Sequence, residues 1–205
     1  MWCSQQLGKH SLGFLKKIRR YLSITRARGI VRRYFILNGF DGSMTMFGII
    51  VASWFAHVEH PQTIIIAGLG ACFAMGISGF FGAYMAEKAE RDRMLRELEK
   101  EKNGKVDPER YEASEFISWY VALIDGLSPV LTSMIALAPF FFALADMLPI
   151  QTAYVASFIL TLASLFSMGY YLGRVAKGNG WIYGVKMLVV GAFAAILIFL
   201  IEIMI

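Results

Sequence analysis

The chain has 205 residues, 57% of them hydrophobic and only 17% charged, with a mean hydropathy of +0.56. Soluble domains lie nearer half apolar and a quarter charged, so a soluble enzyme is excluded and an integral membrane domain is expected. The formal charge of +5 does not indicate nucleic acid, because the basic residues cluster at the ends of apolar runs.

Residues 1–33 form a basic segment. Within it, "LGFLKKIRRYLSI" sets Phe14, Leu15, Ile18, Tyr21 and Leu22 on one helical face, with Lys16, Lys17, Arg19 and Arg20 largely elsewhere. This pattern reads as a helix lying on the anionic inner leaflet, with a solvated basic arm as the alternative. No cleavable leader is expected. Cys3 and Cys72 have no partner spacing, and a disulfide framework is not expected.

Residues 34–205 read as a five-span all-α membrane domain, with spans at about 34–56, 62–86, 116–145, 150–173 and 182–205. Each reaches the roughly 20 residues needed to cross a hydrocarbon core of about 30 Å. Span one contains "LNGFDGSMTMFG", which puts Asp41 between Gly39 and Gly42 in an apolar run. At about 1.5 Å per residue beyond Arg33, Asp41 lies roughly 12 Å into the membrane. A carboxylate at that depth costs at least a few kcal/mol and usually marks an ion path or proton relay. The flanking glycines are expected to loosen the helix there. Met44 and Thr45 share its face at i+3 and i+4. Oxygen with thioether suits a transition ion such as Fe(II) better than Ca or Mg, although Met44 and Met46 can equally be packing residues.

The outer loop "HVEH" (His57, Glu59, His60) is a weak metal candidate. Span two carries small residues at every fourth position, Gly70, Ala74, Ser78, Gly82 and Ala86, which predicts a close helix contact and points to a dimer. Residues 87–115 form a polar connection whose first half should continue span two as a cytoplasmic helix. Glu90, Glu97, Glu101 and Glu112 there either collect a cation or lie on a solvated, charge-laced helix. The turn at Asn103-Gly104 and a second start at Asp107-Pro108 follow.

Span three repeats the first signal: "IDGLSPVLT" sets Asp125-Gly126 in an equally apolar context. The exits of spans two and four also match, "GISGFFGAYMAEKA" against "SMGYYLGRVAKG". A duplicated two-helix hairpin with a fifth helix added is the inferred architecture, the copies running parallel. All 20 Lys and Arg residues fall in alternate connections. The positive-inside rule then places the N-terminus in the cytoplasm and the C-terminus outside. Nucleotide-loop, zincin and serine-elbow patterns do not occur, so no enzyme is expected.

The residues "NGFDG" in span one, "GISGFFGAYMAEKAERD" leaving span two and the Gly-x6-Gly of the last helix resemble the vacuolar iron transporter family over most of residues 31–205. More specific is the Ser-x5-Tyr-x5-Glu exit at Ser78, Tyr84 and Glu90. The resemblance implies a five-helix homodimer that exchanges Fe(II) or Mn(II) for protons and moves metal out of the cytoplasm, with Asp41 at the family's span-one aspartate. Tyr34 and Ile30 stand where the family carries further acids, and Ser78-Gly79-Phe80 replaces its Ser-Met-Gly. The expected ligands are therefore Asp41, Met44, Thr45, Ser78, Glu90 and Asp125, with metal as cargo rather than resident cofactor, and Met75 as a further substitute ligand. The alternatives are a non-transporting membrane scaffold or assembly subunit, and a carrier of another small cation.

Overall fold

The computed structural model describes residues 16–25, 27–101 and 106–204. These form six helices: α1 at 16–24, α2 Arg28–Phe55, α3 Pro61–Glu101, α4 Pro108–Leu144, α5 Ile150–Val175 and α6 Gly180–Met204. No strand occurs among the described residues. Helices α2 to α6 are each long and apolar enough to cross a membrane, and they coincide with the five expected spans. The protein is a multi-pass, all-α membrane protein. Cys3, Phe14, Leu15 and the Asn103-Gly104 turn lie outside the described residues.

The 41 residues of α3 extend about 60 Å, roughly twice the hydrocarbon thickness. Span two therefore does continue as a polar helix, supported by Glu87–Arg91 at 2.9 Å, Lys88–Asp92 at 3.2 Å and Arg93–Glu97 at 3.0 Å, all spaced i,i+4. The start of α4 is set by Asp107, whose Oδ1 accepts the Glu109 N–H at 3.0 Å, with Pro108 in the first turn. Asn179 does the same for α6, accepting the Trp181 N–H at 3.0 Å. The ends of α2, α4 and α5 share one closure. Val58, Met147 and Gly178 donate backwards to Ser53, Phe142 and Gly173, while His57, Asp146 and Lys177 turn left-handed at φ 51, 55 and 55°.

The helices are distributed over two compact units. The first comprises the described residues up to Tyr34 together with Phe80–Asp125. Here part of the apolar face of α1 is received by protein. Tyr21 is 4% exposed and packs edge-to-face on Phe116 at a centroid distance of 5.4 Å, in a cluster with Ile117 and Val121. Two ion pairs lock that docking, Lys17–Glu112 at 2.8 Å and Arg20–Glu109 at 2.6 Å. The cause is spacing: both cations on α1 and both carboxylates on α4 are three residues apart, one helical turn.

The second unit comprises Phe35–Gly79 and Gly126–Ile205. Its core joins Met46, Ile50, Ile64, Leu137, Phe140 and Tyr154. Met46 is thus a packing residue, fully buried. Along α4, the hydroxyls of Ser128, Thr132 and Ser133 donate to the α2 carbonyls of Phe35, Gly39 and Gly42 at 2.5, 3.0 and 3.3 Å. In hydrocarbon such hydroxyl-to-carbonyl bonds and close backbone approach replace the hydrophobic effect as the cohesive forces.

The expectation of loosened helices is corrected here. α2 passes through Asp41, and α4 through Asp125 and Pro129, without interruption. Gly39 and Gly42 serve approach instead. A Cβ on Gly42 would lie 2.5 Å from Thr132 Oγ1 and 2.6 Å from the Pro129 backbone, and one on Gly39 would lie 2.6 Å from the Met168 methyl.

Candidate functional site

On α2 the helical period puts Leu37, Asp41, Met44 and Thr45 on one flank. Gly39, Gly42, Ser43, Met46 and Phe47, on the other side, are buried. Asp41 is exposed, Met44 and Thr45 are half-buried, and Leu37 is 55% exposed. The carboxylate, halfway along α2, therefore points away from its own chain's core, in company with a thioether and a hydroxyl. The three sequence-derived ligands on this helix do share one face.

Ser78 is exposed on α3, as are Gly70, Ala74, Gly82 and Ala86, so the whole small-residue stripe faces outward. A Cβ at Gly70 or Gly82 would meet nothing within 4 Å. Contact within the chain uses another α3 row. A Cβ on Gly68 would lie 2.7 Å from Leu137, one on Gly76 would lie 2.9 Å from Val130, and Cys72 is buried between them in sequence.

Asp125 belongs to the first unit and is 3% exposed. The two Asp-Gly signals thus end in unlike surroundings, one aspartate outward and one enclosed. Glu90 is exposed at 3.9 Å from Arg93, Glu97 pairs with Arg93 and Glu112 with Lys17. The acidic run is therefore laced with cations. Among the described residues no three His, Cys, Asp or Glu side chains converge as a metal group, and this includes His57, Glu59 and His60. His57 and Glu59 instead border a cleft of about 180 Å³ with Trp54 and Tyr154.

Two buried charges were not foreseen. Glu87 and Arg91 are 8% and 5% exposed and are joined at 2.9 Å. Tyr34, at the position where an acid was expected from the resemblance, sits close enough to feel both Glu87 and Asp125. The available signal was helical phase: Glu87 and Arg91 continue the buried row of Ala83.

The VIT family model matches residues 32–122 and 105–202, nearly the whole chain. The chain belongs to the VIT family. Among its relatives, an uncharacterized protein of Methanocaldococcus jannaschii is 36% identical over 83% of this chain and 87% of its own. A protein of Oryza sativa subsp. japonica named vacuolar iron transporter 2 is 26% identical over 82% of this chain and 84% of its own. One of Tulipa gesneriana named vacuolar iron transporter 1 is 24% identical over 80% and 83%. Within this VIT chain, Asp41 with Met44 and Thr45 is the outward-facing polar group at the middle of α2, and Glu87 with Arg91 is the buried ion pair among the described residues.

Proposed function

We propose that the protein is a metal-ion transporter that exchanges a divalent transition metal, Fe(II) or Mn(II), for protons and moves the metal out of the cytoplasm. The observation that carries this reading is the exposure of Asp41 halfway along an apolar helix long enough to cross a membrane. A bare carboxylate toward hydrocarbon is expensive, so a surface that uses the charge covers it. The relatives named vacuolar iron transporters support metal as that use.

The covering surface in this reading is a second copy. The outward small-residue stripe of α3 suits close approach of another backbone. Two copies would also supply two Asp41 carboxylates and two Met44 thioethers, an oxygen and sulfur set matched to Fe(II) or Mn(II). Exchange follows from charge. A protonated Asp41 no longer attracts the cation, and a metal-bound Asp41 no longer holds a proton. The scaffold reading draws on the lack of a three-ligand group in one chain among the described residues, which a ligand set shared by two copies answers.

The orientation follows the confinement of Lys and Arg to alternate connections. A reporter fused after Ile205 should be active outside, and cytoplasmic activity would remove the assignment. Function is tested in proteoliposomes with an internal pH dye and a panel of Fe(II), Mn(II), Co(II), Zn(II) and Ca(II). Uptake of Fe(II) or Mn(II) with a rise in internal pH is expected. Metal entry without a pH change would remove the proton coupling, and no entry of any ion would remove the transporter.

A further inference from the structure

The connection between α2 and α3 carries His57, Glu59 and His60, and the exchange proposed at Asp41 makes no use of them. His57 and Glu59 both line a cleft of about 180 Å³, together with Trp54, Val58, Tyr154 and Gln151, which lies in the first turn of α5. All of these residues belong to the unit of Phe35–Gly79 and Gly126–Ile205. His60 is exposed and is not one of the cleft's walls.

Two features set Glu59 apart from the acids of the polar connection. Glu87, Glu97, Glu112 and Glu115 are each answered by a cation, from Arg91, Arg93, Lys17 and Lys88 respectively. Glu59 makes no ion pair among the described residues. Neither its own connection, "HVEHPQT", nor "ADMLPIQT" at the start of α5 contains a Lys or Arg. The second feature is a fixed backbone. Tyr154, 3% exposed, donates its hydroxyl to the Val58 carbonyl at 2.8 Å, and the Val58 N–H donates to the Ser53 carbonyl at 3.0 Å. Tyr154 is itself set edge-to-face on Trp54 at 5.1 Å. Val58 is the residue between His57 and Glu59, so both side chains leave a backbone that is already pinned, which lowers the ordering cost of using them together.

An imidazole nitrogen beside carboxylate and amide oxygens is a donor set for a borderline divalent ion such as Fe(II), Co(II) or Zn(II). Ca and Mg take oxygen alone. We infer that this cleft is a divalent transition-metal site, with His57 and Glu59 as its ligands, Gln151 as an auxiliary oxygen and water completing the coordination. Two strong ligands make a weak, open site. That agrees with the lack of a three-ligand group among the described residues and suits an ion in passage. The inference rests on the transport reading only for its place in the cycle, since that reading puts this connection on the outer face, where exported metal leaves.

The test uses the full-length protein in detergent, modified with diethyl pyrocarbonate and read histidine by histidine by mass spectrometry, with Zn(II) as the probe. Zn(II) should protect His57 and leave His60 reactive, so His60 is the control within the same connection. Ca(II) should protect neither. Glu59→Gln, at an exposed position, should raise the Zn(II) concentration for half-protection of His57 at least about tenfold, the loss of one charged ligand. Equal protection of His57 and His60 would mean that loop histidines chelate an adventitious ion only, and would overturn the cleft site. No protection of His57, or an unchanged half-protection in Glu59→Gln, would overturn it too. Binding is read here without flux, so the site stands or falls separately from the uptake assay.

Discussion

At Gly42 an added methyl group would meet the Thr132 hydroxyl and the Pro129 backbone, whereas at Gly70 it would meet nothing. Gly42→Ala should therefore lower stability by about 1–3 kcal/mol, the usual cost of overpacking. Gly70→Ala should be neutral or slightly stabilising, since alanine is the better helix former by about 1 kcal/mol. Thermal unfolding in detergent separates them, and equal midpoints would contradict the packing assigned to α2. At Lys17 and Glu112 the prediction concerns pH. The hydrogen bond from Lys17 holds the Glu112 carboxyl below its usual range, and the same bond raises the Lys17 ammonium. A depressed acid contributes above its unfolded value and is lost as pH falls through the folded one. A raised base contributes below its unfolded value and is lost as pH rises through the folded one. The tether should hold from about pH 5 to pH 10. Hydrogen-exchange protection of α1, taken relative to the intrinsic rate at each pH, should fall only outside that window, and loss of protection at pH 6 would contradict the pairing. The effect should be small, because both groups are solvated.

Among the elements, the five spans and the polar continuation of α3 were legible because length and hydropathy alone decide them. Asp41 with Met44 and Thr45 was legible because helical phase puts i, i+3 and i+4 together. The integrity of α2 and α4 was not. Glycine and proline read as breakers in isolation, whereas here the helices continue through them and the two are held together by the hydroxyls of Ser128, Thr132 and Ser133 bonded to α2 carbonyls. The docking of α1 was missed for a similar reason: an amphipathic face looks the same whether lipid or protein receives it. Nor does an i,i+4 pair such as Glu87 and Arg91 announce its own burial within a charged run. The echo between α3 and α5 divides in use. In α5, a Cβ on Gly169 would lie 2.5 Å from the Tyr183 carbonyl of α6, and one on Gly173 would lie 2.6 Å from Gly180. The last helix, α6, thus covers the glycine row of α5, while the row on α3 is left outward. A second copy is the cover proposed for α3, so Ser78→Cys should crosslink between chains under mild oxidation. Gly82→Leu should weaken self-association without unfolding the protomer, because it has room within its own chain. A stable monomer by detergent sizing before and after the change would remove the dimer.

For the whole molecule, the proposed exchange requires the outward carboxylate of Asp41 to bind cation and proton in turn. Asp125, enclosed and in another unit, is not its equivalent in surroundings, so the two aspartates need not behave alike. Asp41→Asn keeps the size of the side chain and its hydrogen-bonding capacity but abolishes its charge. The deciding measurement is metal-driven proton flux of Asp41→Asn in proteoliposomes, at matched insertion and protein content. Flux at least about a hundredfold below wild type, with folding intact, is the predicted result, since a neutral amide cannot alternate between metal and proton. Flux equal to wild type would contradict the account, because it would make Asp41 a packing residue that asparagine replaces.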